Sequence, residues 1–396
     1  MPSRSFVLPA AVQAEFGRFG MYALWAGAAA AVLSVISGFF GWLDFLQAYL
    51  AAWLLWLGVS LGSLILVATQ YLTGGAWGVM IRRPAEAAAR TLPLVAILFL
   101  PIAFGIPVLY HWSHPELVAH DEILRHKHIW MNTPAFLIRA AAYFAIWIGI
   151  GALLERWSLR QDATGDPKLE IMLQRLSAPA IVIYGGTISF AAVDWVVSLS
   201  DHWYSTIIGF LFIAEQGLSS LSFLIIVMTV LAVTEPVSEY FSKRHLQDLG
   251  KLLLMFVMLW AYFAFSQLLI IWAGNTRQEI TWYYPRMATN WGWVGLAMIL
   301  LQFCLPFLLL LSRDLKRNRK PMIVIAGIVL FMRYVGLYWS IKPDVFRDGI
   351  RVTVPDVLLP LAIGGIWLSA YLYYLRRYPI LPEGSPHLEG ALAHGH

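Results

Sequence analysis

Ten apolar runs, separated by short polar stretches, make up nearly the whole chain. The first is Phe19 to Leu43, and the others lie at 48–73, 92–112, 133–157, 176–198, 204–234, 246–274, 289–312, 321–341 and 354–376. Most are close to the ~20 residues a helix needs to cross a bilayer. No water is available inside hydrocarbon, so each span must satisfy its own backbone hydrogen bonds, which predicts helices. The runs at 204–234 and 246–274 are longer and should tilt or protrude. The expected fold is an all-α integral membrane protein of ten transmembrane helices. The first run is too long for a signal-peptide core and is expected to be retained. Residues 1–18 form a polar leading segment carrying Arg4, Glu15 and Arg18, and 19–377 form the membrane domain. Residues 378–396, rich in Pro, Gly and His, are expected to be a loose tail.

Composition agrees: 59% of residues are hydrophobic and 13% charged, with a mean hydropathy of +0.67. Soluble domains carry about 25% charged residues. The net charge of +5 is not a nucleic-acid signal, because the basic residues sit between apolar runs. Lys and Arg divide 19 against 7 between the two sides, with Arg139 and Arg333 inside spans. The densest cluster is Arg313, Lys316, Arg317, Arg319 and Lys320. The positive-inside rule then places both termini in the cytoplasm.

The candidate chemistry centres on 191–216, where two spans meet across a polar elbow at 198–202 containing Asp201 and His202. Asp194 precedes the elbow and Glu215 follows it. Counted from Tyr204 at 1.5 Å per residue, Glu215 lies about 16 Å deep. A carboxylate in hydrocarbon costs at least ~2.5–3.5 kcal/mol, so both acids must face protein or a wet cavity. They read as steps of a proton path or as acids neutralised structurally. Glu215, Ser219 and Ser222 share one helix face, which extends a hydrogen-bonded chain or provides small residues for packing. Arg139, about two turns into the fourth run, needs an acid, with Asp194 or Glu215 the nearest suppliers. Arg333 is a second buried cation with no partner evident, and with Gln302 it marks a second buried polar site.

Histidines lie at span ends, in loops or in the tail, leaving no pair of mid-helix axial ligands for a b-type haem. His111, His114, His120, His126 and His128 match no zinc spacing. The lone Cys304 excludes an intrachain disulfide and a cysteine-held cluster. The chain alone is expected to hold no haem, metal or flavin.

Several segments carry a family resemblance. LTGGAWG at 72–78, followed by Arg82, Arg83 and Glu86 and then LPI at 100–102, resembles the NrfD/PsrC-like membrane subunits of polysulfide-reductase type. NTPAFLIRAAAYFAIW at 132–147, DWVVSLSDHWYSTIIG at 194–209 and WAYFAFSQLLIIWAGN at 260–275 are similar to the branch in alternative complex III. The resemblance implies two four-helix bundles, helices two to five and six to nine, flanked by the first and tenth. It implies a bacterial cell-membrane complex that oxidises menaquinol or another quinol. The implied partners are a sister NrfD-like subunit, an iron–sulfur subunit, haem c subunits and small membrane subunits. Haem c and iron–sulfur clusters would reside in those partners. This chain would be a redox-inert subunit, not catalytic alone, supplying a proton-conducting half-channel through Asp194 and Glu215 and a docking surface. Two other readings are a secondary transporter of a small solute and a scaffold whose acids are silent. Pro101, Pro107 and Pro306, which interrupt spans, match the interrupted helices of transporters only weakly.

Overall fold

The computed structural model describes residues 6–394, so Arg4 and His396 lie outside the described residues. These residues are helical, with no strand among them. Ten helices are long and apolar enough to cross a membrane, the architecture of a multi-pass membrane protein. They span Ala10–Gly38, Trp42–Thr73, Ala76–Phe104, Thr133–Thr164, Pro167–Leu199, Ile208–Leu231, Lys243–Gly274, Trp291–Leu311, Arg319–Asp344 and Val354–Leu375. They are called helices 1 to 10 below.

Helix 2 is the hub. In its apolar window 89% of residues are buried, against 22% for helices 1, 7 and 8. It touches helices 3, 5, 6, 9 and 10, and helix 6 in turn touches 2, 5, 7 and 9. Helix 1 packs chiefly along helix 10. Apolar burial adds little between helices already in lipid, so close contact depends on small residues. Gly58 and Gly62, one turn apart on helix 2, meet helix 6 at Gln216, Ser219 and Ser220. A Cβ on Gly62 would stand 2.4 Å from Gln216 O. Gly27 and Gly365 give the same close approach between helices 1 and 10.

Two spans differ from the apolar runs. Helix 3 starts at Ala76, well before the run at 92–112, so Arg82, Arg83, Glu86 and Arg90 belong to it. Hydropathy does not reveal this helical half because of those charges. Helix 6 starts at Ile208 rather than Tyr204, which leaves a connection of 200–207 and places Glu215 about 10 Å below the helix start.

The described part of the tail, 378–394, is not loose but docked. Ile380 N donates to Phe6 O (2.9 Å), so both ends of the described residues lie on one face of the molecule, the terminal face. Gly384 N donates to Asp162 Oδ1 (3.0 Å). Leu388, Ala391 and Leu392 bury one side of a short helix, Leu388–His394, at i, i+3, i+4 spacing. The average composition of the tail conceals these few apolar anchors.

Candidate functional site

Asp194 lies near the end of helix 5, and 2% of its side chain is exposed. Arg139, one face of helix 4, reaches it with both arms of its fork. Nε donates to Oδ2 (2.9 Å) and Nη2 to Oδ1 (2.7 Å). Trp130 Nε1 adds a bond to Oδ1 (2.8 Å) and Tyr143 OH one to Oδ2 (2.9 Å). The Trp130 ring also lies 4.1 Å from the Arg139 guanidinium carbon. A carboxylate accepts about four hydrogen bonds, and all four are filled here. Of the two suppliers considered for Arg139, the structure selects Asp194.

Glu215 belongs to a different constellation. Arg333 on helix 9, for which the sequence suggests no partner, places Nη2 2.7 Å from Glu215 Oε2. Helix 7 contributes Trp260, whose indole faces the same carboxylate. Helix 8 contributes Gln302, which is fully buried. With its amide oriented to donate to Met332 O (3.1 Å), Gln302 offers Oε1 to Trp260 Nε1 at 3.1 Å. Helices 6, 7, 8 and 9 thus each supply one polar group to a single junction. Met298–Cys304, which carries Gln302, is a π-helical stretch within helix 8. Such widened turns release a residue from helical register and are frequent at functional sites. The Glu215 side chain keeps a tenth of its surface open.

The other residues of the expected path fall in separate places. Ser219 Oγ donates to Glu215 O, its own helix backbone (2.9 Å), at the Gly58 contact. Ser222 Oγ is buried with no protein partner. Asp201 and His202 sit in a polar loop cluster on the face opposite the termini. His202 Nε2 meets Asp121 Oδ2 at 2.6 Å, and His202 Nδ1 lies 3.2 Å from Asp201 Oδ1. Lys127 Nζ donates to Asp201 O (2.6 Å). The backbone N–H of Leu124, followed by His202, holds the Asp121 carboxyl below its ordinary value. Burial pushes the Lys127 ammonium down. On the same face Arg286 pairs with Asp344 (3.1 Å) and Lys342 with Asp356 (3.0 Å), each cation fully buried. Among the described residues no cluster of three or more His, Cys, Asp or Glu has metal-binding geometry.

A further buried charge cluster lies toward the terminal face of helices 3 and 4. Arg83 pairs with both Glu86 and Asp162. Ser158 Oγ donates to Glu86 Oε1 (2.7 Å), and Arg90 Nε lies 2.8 Å from Glu155 Oε1. Arg82, 1% exposed, bonds Gln70 Oε1 through Nε (2.9 Å) and lies over the Tyr71 ring. These residues read as loop charges in the sequence. Their true signal was helical spacing: positions 82, 86 and 90 recur at i, i+4, i+8 on one face. No family model matches the chain, and no curated protein matches it.

Proposed function

We propose that this protein is a membrane subunit of a quinol:electron-acceptor oxidoreductase of the NrfD/PsrC-like type, as in alternative complex III, and that Glu215 is its proton-exchanging group. The reading rests on the motif resemblance for the complex and on the Glu215 junction for the residue. The observation that carries it is the contrast in saturation. Asp194 has every acceptor site filled and is closed, whereas Glu215 faces one guanidinium and one indole and keeps open surface. A carboxyl that exchanges protons needs an unfilled acceptor position and a route for water; intramembrane acids facing an interior are functional sites by default. In this assignment Asp194 with Arg139 fastens helix 4 to helix 5, and the proton step belongs to helices 6–9. Electron carriers would reside in partner subunits.

The test is the intact complex reconstituted in vesicles. Glu215→Gln removes the titratable proton, and Glu215→Gln with Arg333→Gln removes it without stranding a cation. Both should assemble and transfer electrons while losing proton movement. Full electron transfer together with full proton movement in the double variant would end this role for Glu215. Co-purification with haem c and iron–sulfur proteins tests the complex; a protein that purifies alone and moves a solute would replace that part of the reading.

A further inference from the structure

On the terminal face, a groove of about 400 Å³ is lined by residues of helices 1 and 10 and by Leu94 of helix 3. Phe16, Met21, Leu24 and Ile366 give it apolar walls, and Arg376 stands at its end. Among the described residues no acidic side chain lines it. Arg376 follows the last residue of helix 10, and its guanidinium lies directly over Gly17 of helix 1, where a Cβ would stand 2.4 Å from Nη1. The Tyr373 ring lies 5.7 Å from its guanidinium carbon. Elsewhere Arg83, Arg90, Arg139, Arg286 and Arg333 each have an acid. Tyr374 lines this groove and also a second cleft of about 190 Å³ between helices 2, 3 and 4, which holds Arg90 and Glu155. The two spaces thus share one tyrosine as a wall.

We propose that this groove binds an anionic phospholipid, with its phosphate on Arg376 and an acyl chain between helices 1 and 10. The volume is in the range of small-molecule sites. Basic pockets between transmembrane helices at the polar boundary suit anionic headgroups, where a guanidinium bonds phosphate oxygens through paired donors. A zwitterionic lipid offers the same phosphate but adds a cation that Arg376 repels. The apolar walls distinguish a lipid from free phosphate, because they contribute only when a chain is present. The site is independent of the Glu215 assignment.

The experiment is native mass spectrometry and thermal unfolding of the intact protein, with its complex where one purifies. Detergent-solubilised protein is supplied with phosphatidylglycerol, phosphatidylcholine or inorganic phosphate. Phosphatidylglycerol should stay bound and raise Tm; the other two should not. Arg376→Gln should weaken phosphatidylglycerol retention at least tenfold, and Arg376→Lys should restore part of it. Ala370→Phe, which fills the groove while keeping the charge, should weaken it as well. Equal retention in wild type, Arg376→Gln and Ala370→Phe would overturn the proposal. So would equal stabilisation by phosphatidylcholine, stabilisation by phosphate alone, or a partner helix cross-linked into the groove.

Discussion

Asp194 takes four hydrogen bonds from Arg139, Trp130 and Tyr143, whereas Glu215 takes its ion pair from one nitrogen of Arg333 and shares the Trp260 indole with Gln302. Both are buried acids on neighbouring helices of one chain. The Asp194 donors come from helix 4 and the turn before it, so the site joins adjacent elements like a rivet. The Glu215 groups come from four helices, so the site depends on how those helices pack. A saturated carboxylate cannot take up a proton without discarding strong hydrogen bonds. A less saturated one can exchange, and small helix shifts can tune it.

The largest effect should follow from breaking the rivet. Arg139→Ala strands Asp194 as an uncompensated buried charge, at a cost of about 3–5 kcal/mol. The yield of folded protein and its unfolding temperature should both fall; an unchanged unfolding temperature would mean Asp194 is not charged there. Trp130→Phe removes one donor to a charged acceptor and should cost about 1.5–3 kcal/mol. Trp260→Phe, the matching change at Glu215, should cost less and should instead shift the pH dependence of proton movement. If the two tryptophan variants behave alike, the proposed division of labour fails.

The serine face sharpens the comparison further. Gly62→Ala drives a Cβ into the helix 6 backbone and should cost about 1–3 kcal/mol by overpacking. Ser222→Ala should leave stability and proton movement nearly unchanged, since its hydroxyl has no protein partner. Loss of proton movement in Ser222→Ala would return that serine to a conducting chain.

The smallest effect concerns the loop cluster at the opposite face. The folded Asp121 carboxyl titrates below its unfolded value, so its contribution is present at neutral pH. That contribution is lost as pH falls below the ordinary aspartate value of about 3.9. Amide exchange in 115–127 should therefore speed up on acidification, and Asp121→Asn should be fast already at neutral pH and flat with pH. A wild-type loop insensitive to acid would show that the charged Asp121 carboxyl, with its Leu124 and His202 contacts, adds nothing.

Hydrophobic run length alone determined the ten helices, because a bilayer admits only self-satisfied spans near twenty residues. The same scarcity of polar groups within spans made Asp194, Glu215, Arg139, Arg333 and Gln302 legible as candidates. Pairing was not legible. Glu215 and Arg333 are far apart in sequence, and only the packing of helix 6 against helix 9 brings the acid to its arginine. The Arg83–Glu86–Asp162 cluster was hidden because charge near a span end looks the same whether it faces water or the turn of a neighbouring helix. The docking of 378–394 turned on a few apolar side chains and a bond to Phe6, which composition averages away. Periodicity and hydropathy are local and additive, so the chain itself states where helices form. Which buried charge meets which depends on helix crossings set by contacts such as Gly62 on Gln216, and only the tertiary structure decides those.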